Sequence, residues 1–226
     1  MAAGKYVYTI ISSGGNNDFG EIGIENTGRV YTINYNDIAA VVSDSPVKEY
    51  DLNEDNCLSH MRIVTQIMEQ NTVVPMSFGM VFKDEETLLA ILKASYEVLK
   101  EALDRLDNKV ELGVKVIIPK KAMQSSDDPF GGKSREEFVK ECGSHFLDAL
   151  NKVAVNSSQS KLFSDRLVLN ASFLVERDKI DEFEQMLEAV DSKYQFLKTQ
   201  YSGPWPPYNF CQIKLGRAGE SVSTGR

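Results

Sequence analysis

A chain of 226 residues has room for one large core or two compact ones, and 42% hydrophobic with 26% charged residues excludes a wholly disordered or low-complexity protein. The formal net charge of -8 leaves no surplus of lysine and arginine to neutralise phosphates, which argues against a nucleic-acid partner. No apolar stretch approaches the roughly 18 to 20 residues that span a bilayer, no secretion signal is read, and three widely spaced cysteines, Cys57, Cys142 and Cys211, suit free thiols in a reducing cytoplasm.

In chain order, "KYVYTIIS" from Lys5 and "RVYTINYNDIAAVVSD" from Arg29 are rich in Tyr, Val, Ile and Thr, and each reads as a strand between turn-forming stretches. Leu58, Met61, Val64, Ile67 and Met68 then recur at helical spacing after "DLNEDN", where Asn53 or Asn56 caps the first turn. "TVVPMSFGMVF" returns to β-type residues; Pro75 implies an edge position or an irregularity rather than a central strand, and Gly79 marks a bulge or bend. A long helix follows, with Asp84, Glu85 and Glu86 at its positive end and Leu88, Leu92, Tyr96, Leu99, Leu103 and Leu106 in one stripe. That helix closes an N-terminal α+β domain, residues 1–110.

"VELGVKVII" sets Leu112, Val114, Val116 and Ile118 on one strand face. After the polar loop "PKKAMQSSDDPFGGK", Ser134 and Glu137 form a Ser-x-x-Glu capping box that opens a helix to about Val153, with Phe138, Cys142, Phe146, Ala149 and Val153 inward. "NSSQSK" reads as a loop, with an extra strand placed around 161–164. In "LVLNASFLVE" Leu169, Ala171, Phe173 and Val175 alternate with Asn170 and Ser172, a half-buried strand. A helix from Asp178 carries Ile180, Phe183, Met186, Leu187 and Val190, and "YQFLKTQY" is the last strand. The strand-helix-strand-helix-strand order is the skeleton of a ferredoxin-like domain over residues 111–215, so the fold class is α+β with two domains. Residues 216–226 lack a large apolar anchor and read as a disordered tail.

The two histidines both stand in Cys-x-x-His, Cys57 with His60 and Cys142 with His145. On a helix that spacing puts sulfur and imidazole on one side, so a shared Cys2His2 zinc site is one reading, that of a metal-stabilised regulator. The other is that both cysteines are small buried hydrophobes. No third group orients a cysteine nucleophile, and the early glycines spell neither a Gly-x-Gly-x-x-Gly nor a Walker run. A ligand-binding ferredoxin-like protein with a polar cleft is the further alternative. The residues themselves point to a non-enzymatic protein with no cofactor and no metal.

The stretch "YSGPWPPYNF", residues 201–210, holds three prolines and the only tryptophan. Residues before proline are pushed out of the helical region, and Pro204, Pro206 and Pro207 lack N–H donors, so the segment runs along an edge or over a surface, held by side chains. Trp205, Tyr208 and Phe210 can each bury about 150 to 250 Å². Two readings stand side by side: a latch pinning the last strand, and a stiff docking surface for another protein formed by Pro204, Trp205, Pro206, Pro207, Tyr208 and Phe210.

"GPWPPYNF" after a strand, with "NASFLVERDKIDEFEQML" before it and "YVYTI", "NDIAAVVSDSPVKEYD" and "VVPMSFGMVF" upstream, resembles the gas vesicle protein F/L family over roughly residues 5 to 212. Members commonly carry an arginine just before the Phe-Gly of the middle motif; this chain has Ser77. The resemblance implies an accessory or minor structural component of gas vesicles, a cytoplasmic, non-enzymatic protein acting in shell assembly. It further implies contacts with the hydrophobic shell protein and other accessory gas vesicle proteins, and none with nucleic acid or lipid membrane.

Overall fold

The computed structural model describes residues 4–26, 28–124, 130–215 and 222–224. In chain order its elements are β1 (Gly4–Ser12), β2 (Asp18–Gly20), β3 (Val30–Tyr35), β4 (Ile38–Ser45), α1 (Glu54–Met68), β5 (Val73–Pro75), β6 (Val81–Phe82), α2 (Glu85–Ala94), α3 (Tyr96–Leu106), β7 (Lys109–Ile117), α4 (Lys120–Gln124), α5 (Arg135–Leu150), β8 (Asn156–Gln159), β9 (Leu167–Glu176), α6 (Ile180–Asp191), β10 (Lys198–Trp205), β11 (Ile213–Leu215) and β12 (Val222–Thr224). The chain divides into two compact units, Met1–Asp107 with Pro206–Arg226, and Asn108–Trp205. Residues 206–215, expected in the second domain, therefore cluster with the first; Cys211, Ile213 and Leu215 among them are buried. The expected disordered tail lies outside the described residues except for Val222–Thr224, whose backbone pairs antiparallel with Ile213–Leu215.

The first unit is built on an antiparallel sheet in the order β2-β3-β4-β1-β5, with β6 also on β1. Every residue of β1 except Ser12 is buried, because Tyr6 and Tyr8 lie against His60 of α1 while α2 and α3 also pack on the strand. The run from Arg29, read as one strand, is the hairpin β3–β4; Tyr35 faces Ile38, and Asn36 turns the corner at φ 52, a conformation asparagine tolerates better than most residues. "TVVPMSFGMVF" likewise splits into β5 and β6 around the loop 76–80, where Gly79 has φ 80. Asn53 caps α1 by accepting from the Asn56 N–H at 2.9 Å, and Asp84 caps α2 from the Thr87 N–H at 2.8 Å.

The long helix is interrupted at Ser95 (φ -108, ψ 10), although Ser95 N–H still donates to Ile91 O at 2.9 Å and Leu99 N–H to Ser95 O at 3.0 Å. The break buries Ser95 and leaves Tyr96, expected in the apolar stripe, half-exposed with its hydroxyl donating to Asp37. Leu88 and Leu92 on α2 and Leu99, Ala102, Leu103 and Leu106 on α3 are buried.

The second unit is a four-stranded antiparallel sheet in the order β10-β7-β9-β8, its elements running strand, short helix α4, helix, strand, strand, helix, strand. Leu112 pairs with Phe173 and Val114 with Ala171, so these residues share the face packed by the helices, where Phe183 of α6 meets Phe173 at 5.2 Å between ring centroids. Each such side chain withdrawn from water contributes roughly 1.5 to 3 kcal/mol. The capping box at Ser134 and Glu137 opens α5, which ends at Leu150 rather than Val153, Asn151 N–H donating back to Leu147 O at 2.9 Å. The extra strand is Asn156–Gln159 and not 161–164: Val155 N–H and Ser160 N–H, donating to Leu174 O and Asn170 O at 2.8 Å, bracket its pairing with β9. Among the described residues no helix is long and apolar enough to cross a membrane.

Candidate partner-binding segment

Among the described residues β10 is an edge strand with β7 as its one partner, and the ladder shifts between Ser202 and Trp205, so Gly203 and Pro204 fall in an irregularity. A residue without an N–H fits there because it interrupts no ladder bond. Gly203 has φ 121, and a Cβ on it would lie 2.8 Å from Glu111 O and 3.1 Å from Leu112 Cδ2, so the close approach requires glycine. The Gly203–Pro204 peptide is cis. Beyond it Trp205 comes opposite Glu111.

The six candidate residues do not share one environment. Pro204 is exposed and Trp205 half-buried, whereas Pro206 and Pro207 are buried, and Tyr208 and Phe210 are half-buried in a 3-10 turn. Pro204 and Trp205 belong to the second unit and Pro206 to Phe210 to the first, where Arg105 Nη2 donates to Phe210 O at 3.4 Å. Next along the edge, Tyr201 is 36% exposed, and burial together with a hydrogen bond from its hydroxyl to Glu184 raises its pKa above the usual phenol range.

The Cys-x-x-His pairs have other occupations. Cys57 and His60 lie on α1 of the first unit, Cys142 and His145 on α5 of the second. His60 Nε2 is 3.1 Å from Met76 O, which only accepts, so Nε2 carries the proton. Nδ1 then accepts from the Tyr6 hydroxyl at 2.9 Å, and Tyr6 Oη in turn accepts from Gly79 N–H at 3.0 Å. Burial pushes the imidazole pKa down to about 4, so His60 is neutral at pH 7 and clamps the 76–80 loop, which includes Ser77. Tyr6 and His60 are 54 residues apart, and no local spacing announces their meeting. On α5, burial pushes the Cys142 thiol up to about 12, the Tyr194 hydroxyl being hydrogen-bonded to it and to His145 Nδ1. Such a thiol is protonated at neutral pH and is a poor nucleophile or ligand. Among the described residues no group of three or more His, Cys, Asp or Glu side chains is disposed to hold a metal ion.

The geometry therefore offers surfaces and anchors. Comparison with known proteins places it. The chain matches the family model described as gas vesicle synthesis protein GvpL/GvpF over residues 4–138 and 132–212. It is 37% identical over 198 residues to gas vesicle protein F of Haloferax mediterranei, covering 86% of this chain and 87% of that one. Against gas vesicle protein F1 of Halobacterium salinarum the identity is 35% over 197 residues, 86% of either chain. The crystal structure of gas vesicle protein GvpF from Anabaena sp. PCC7120 superposes with a TM-score of 0.80 over 94% of this chain and 99% of that one; at 24% identity that likeness speaks for the fold. These relatives are named as gas vesicle proteins and not as enzymes. The chain belongs to the GvpL/GvpF family of gas vesicle synthesis proteins.

Proposed function

We propose that this protein takes part in building gas vesicles in the cytoplasm through contacts with the hydrophobic shell protein and other accessory gas vesicle proteins, and that it performs no bond-making chemistry. The observation that carries the reading is the family match across nearly the whole length. The strand order β10-β7-β9-β8 with its two helices supports reading the second unit as a ferredoxin-like domain. Its free edge strand ends in an exposed proline and a half-exposed tryptophan. A stiff segment of that kind loses little conformational entropy when a partner docks, and aromatic side chains are common anchors of protein interfaces.

The latch and docking readings divide at Trp205. Pro206 and Pro207, buried, suit anchorage within the first unit, while Pro204 and Trp205 suit a partner contact. Pull-down of the shell protein with wild type and with Trp205→Ala tests this. We expect at least tenfold weaker capture by Trp205→Ala at an unchanged melting temperature. Undiminished capture by the folded variant assigns Trp205 to anchorage instead.

A further inference from the structure

The face of the second unit's sheet turned away from α5 and α6 carries a groove of about 470 Å³, lined by β7, β9 and β10. Its long axis follows β7, where Glu111, Gly113 and Lys115 point to the same side. At one end Trp205 stands opposite Glu111, and Glu111 is only 6% exposed, so that end presents an indole rather than a carboxylate. In the middle Gly113 has no side chain, and Ser202 and Ser172 flank it in register; the Ser202 hydroxyl fills the space beside it, 2.7 Å from where a Gly113 Cβ would stand, so the groove floor there is a serine hydroxyl. At the other end Lys115, level with Gln200 and Asn170, extends its ammonium 5.9 Å from the centre of the Phe163 ring, and Phe163 is 76% exposed.

Lys115 has no carboxylate within 4 Å among the described residues, in a chain of net charge -8 whose lysines are frequently paired, as Lys5, Lys48, Lys100, Lys133 and Lys179 are. Glu111 and Lys115 are the charged residues lining the groove, and the Glu111 carboxylate is already withdrawn from solvent. The accessible charge is therefore positive and sits at one end, with an aromatic wall at the other, about 13 Å away for four residues of extended strand.

We infer that this groove is a docking site for an acidic segment of a partner gas vesicle protein, one that sets a large apolar side chain against Trp205 and an Asp or Glu carboxylate on Lys115. The class of partner rests on the functional reading above; the groove, the spacing and the sign of the charge do not. A carboxylate entering beside Lys115 and Phe163 meets an ammonium partly shielded from water, where a charge-assisted hydrogen bond is stronger than on an open surface.

The test places a photo-crosslinking benzoylphenylalanine at Ser202 of the full-length chain in cells that build gas vesicles, and maps the adducts by mass spectrometry. The expected result is an adduct on another gas vesicle protein, within a segment that carries Asp or Glu near apolar residues. Its yield should fall at least tenfold with Lys115→Glu, several-fold with Lys115→Met, and recover when the partner's carboxylate is replaced by lysine. An adduct on a second copy of this chain, an adduct within the chain itself, or a yield indifferent to both Lys115 variants would overturn the proposal. If pull-down still recovers gas vesicle proteins while Ser202 forms no adduct, the groove assignment falls and the functional reading stands. Recovery of no gas vesicle protein by either route removes both.

Discussion

The two units solve the same problem with different chemistry. Among the described residues, eight of the nine buried polar or charged ones, Lys5, Thr9, Thr32, Ser43, Ser45, Asn56, His60 and Ser95, lie in the first unit, and the ninth, Glu111, lies in the second. In the first, tyrosines fill the centre and each needs a partner: Tyr8 with Ser43 at 2.8 Å, Tyr50 with Ser45 at 2.7 Å, Tyr6 with His60 at 2.9 Å. In the second, Phe146, Phe173 and Phe183 are completely buried. Apolar packing is non-directional, whereas buried hydrogen bonds fix positions and penalise any arrangement that leaves a group unmet. The first unit thus holds a loop in place, and the second packs Phe173 and Phe183 on the helix side of its sheet while the other face, where Leu174 is also buried, carries the groove.

The sharpest way to break this contrast is a cavity in the second unit. Phe173→Ala removes a side chain with no exposure and should cost about 3 to 5 kcal/mol. Hydrogen exchange should show β7 and β9 amides losing protection while β1 and β4 keep theirs; uniform loss would mean that the two units stand or fall together. A pH titration probes the first unit. His60 has a folded pKa of about 4 against an ordinary value of 6.5, so between these values the unfolded chain binds the additional proton and stability declines as pH falls. The contribution is full above pH 6.5, and about 3 kcal/mol is lost by the time pH passes 4. Urea unfolding at a series of pH values should show that slope, and His60→Gln should flatten it. The smallest effect is local: Ser134→Ala removes the capping box of α5 and should cost about 1 kcal/mol in the second unit at every pH near neutrality. A change much larger than that, read from denaturant midpoints, would show that the cap organises more than its own helix.

Legibility cut across the two units and followed distance in sequence. Where a signal is carried by residues close in sequence, it was readable: the Ser134 capping box, a cap for α1 at Asn53 or Asn56, the acidic start of α2 and the alternation of β9 all depend on residues a few positions apart, whereas Asp84 as the α2 cap was not singled out. β8 was not readable, since Asn156–Gln159 is a polar edge with no apolar face to announce it. The helix break at Ser95 was hidden by a continuous leucine stripe. Of the candidate site, the rigidity of residues 203–207 was legible from proline and glycine chemistry, but not that Trp205 and Pro206 fall in different units.

The sequence by itself determined the α+β class, most helix starts, the family and the stiffness of the Gly-Pro-Trp-Pro-Pro run, because each depends on residue type and near-neighbour spacing. Only the tertiary structure decided that His60 meets Tyr6 across 54 residues, that a Cβ on Gly203 would lie 2.8 Å from the Glu111 carbonyl oxygen, and that Lys115 faces a groove ending in Trp205. Those pairings are set by strand register and by which faces bury together, and such long-range choices are made by packing the whole chain at once.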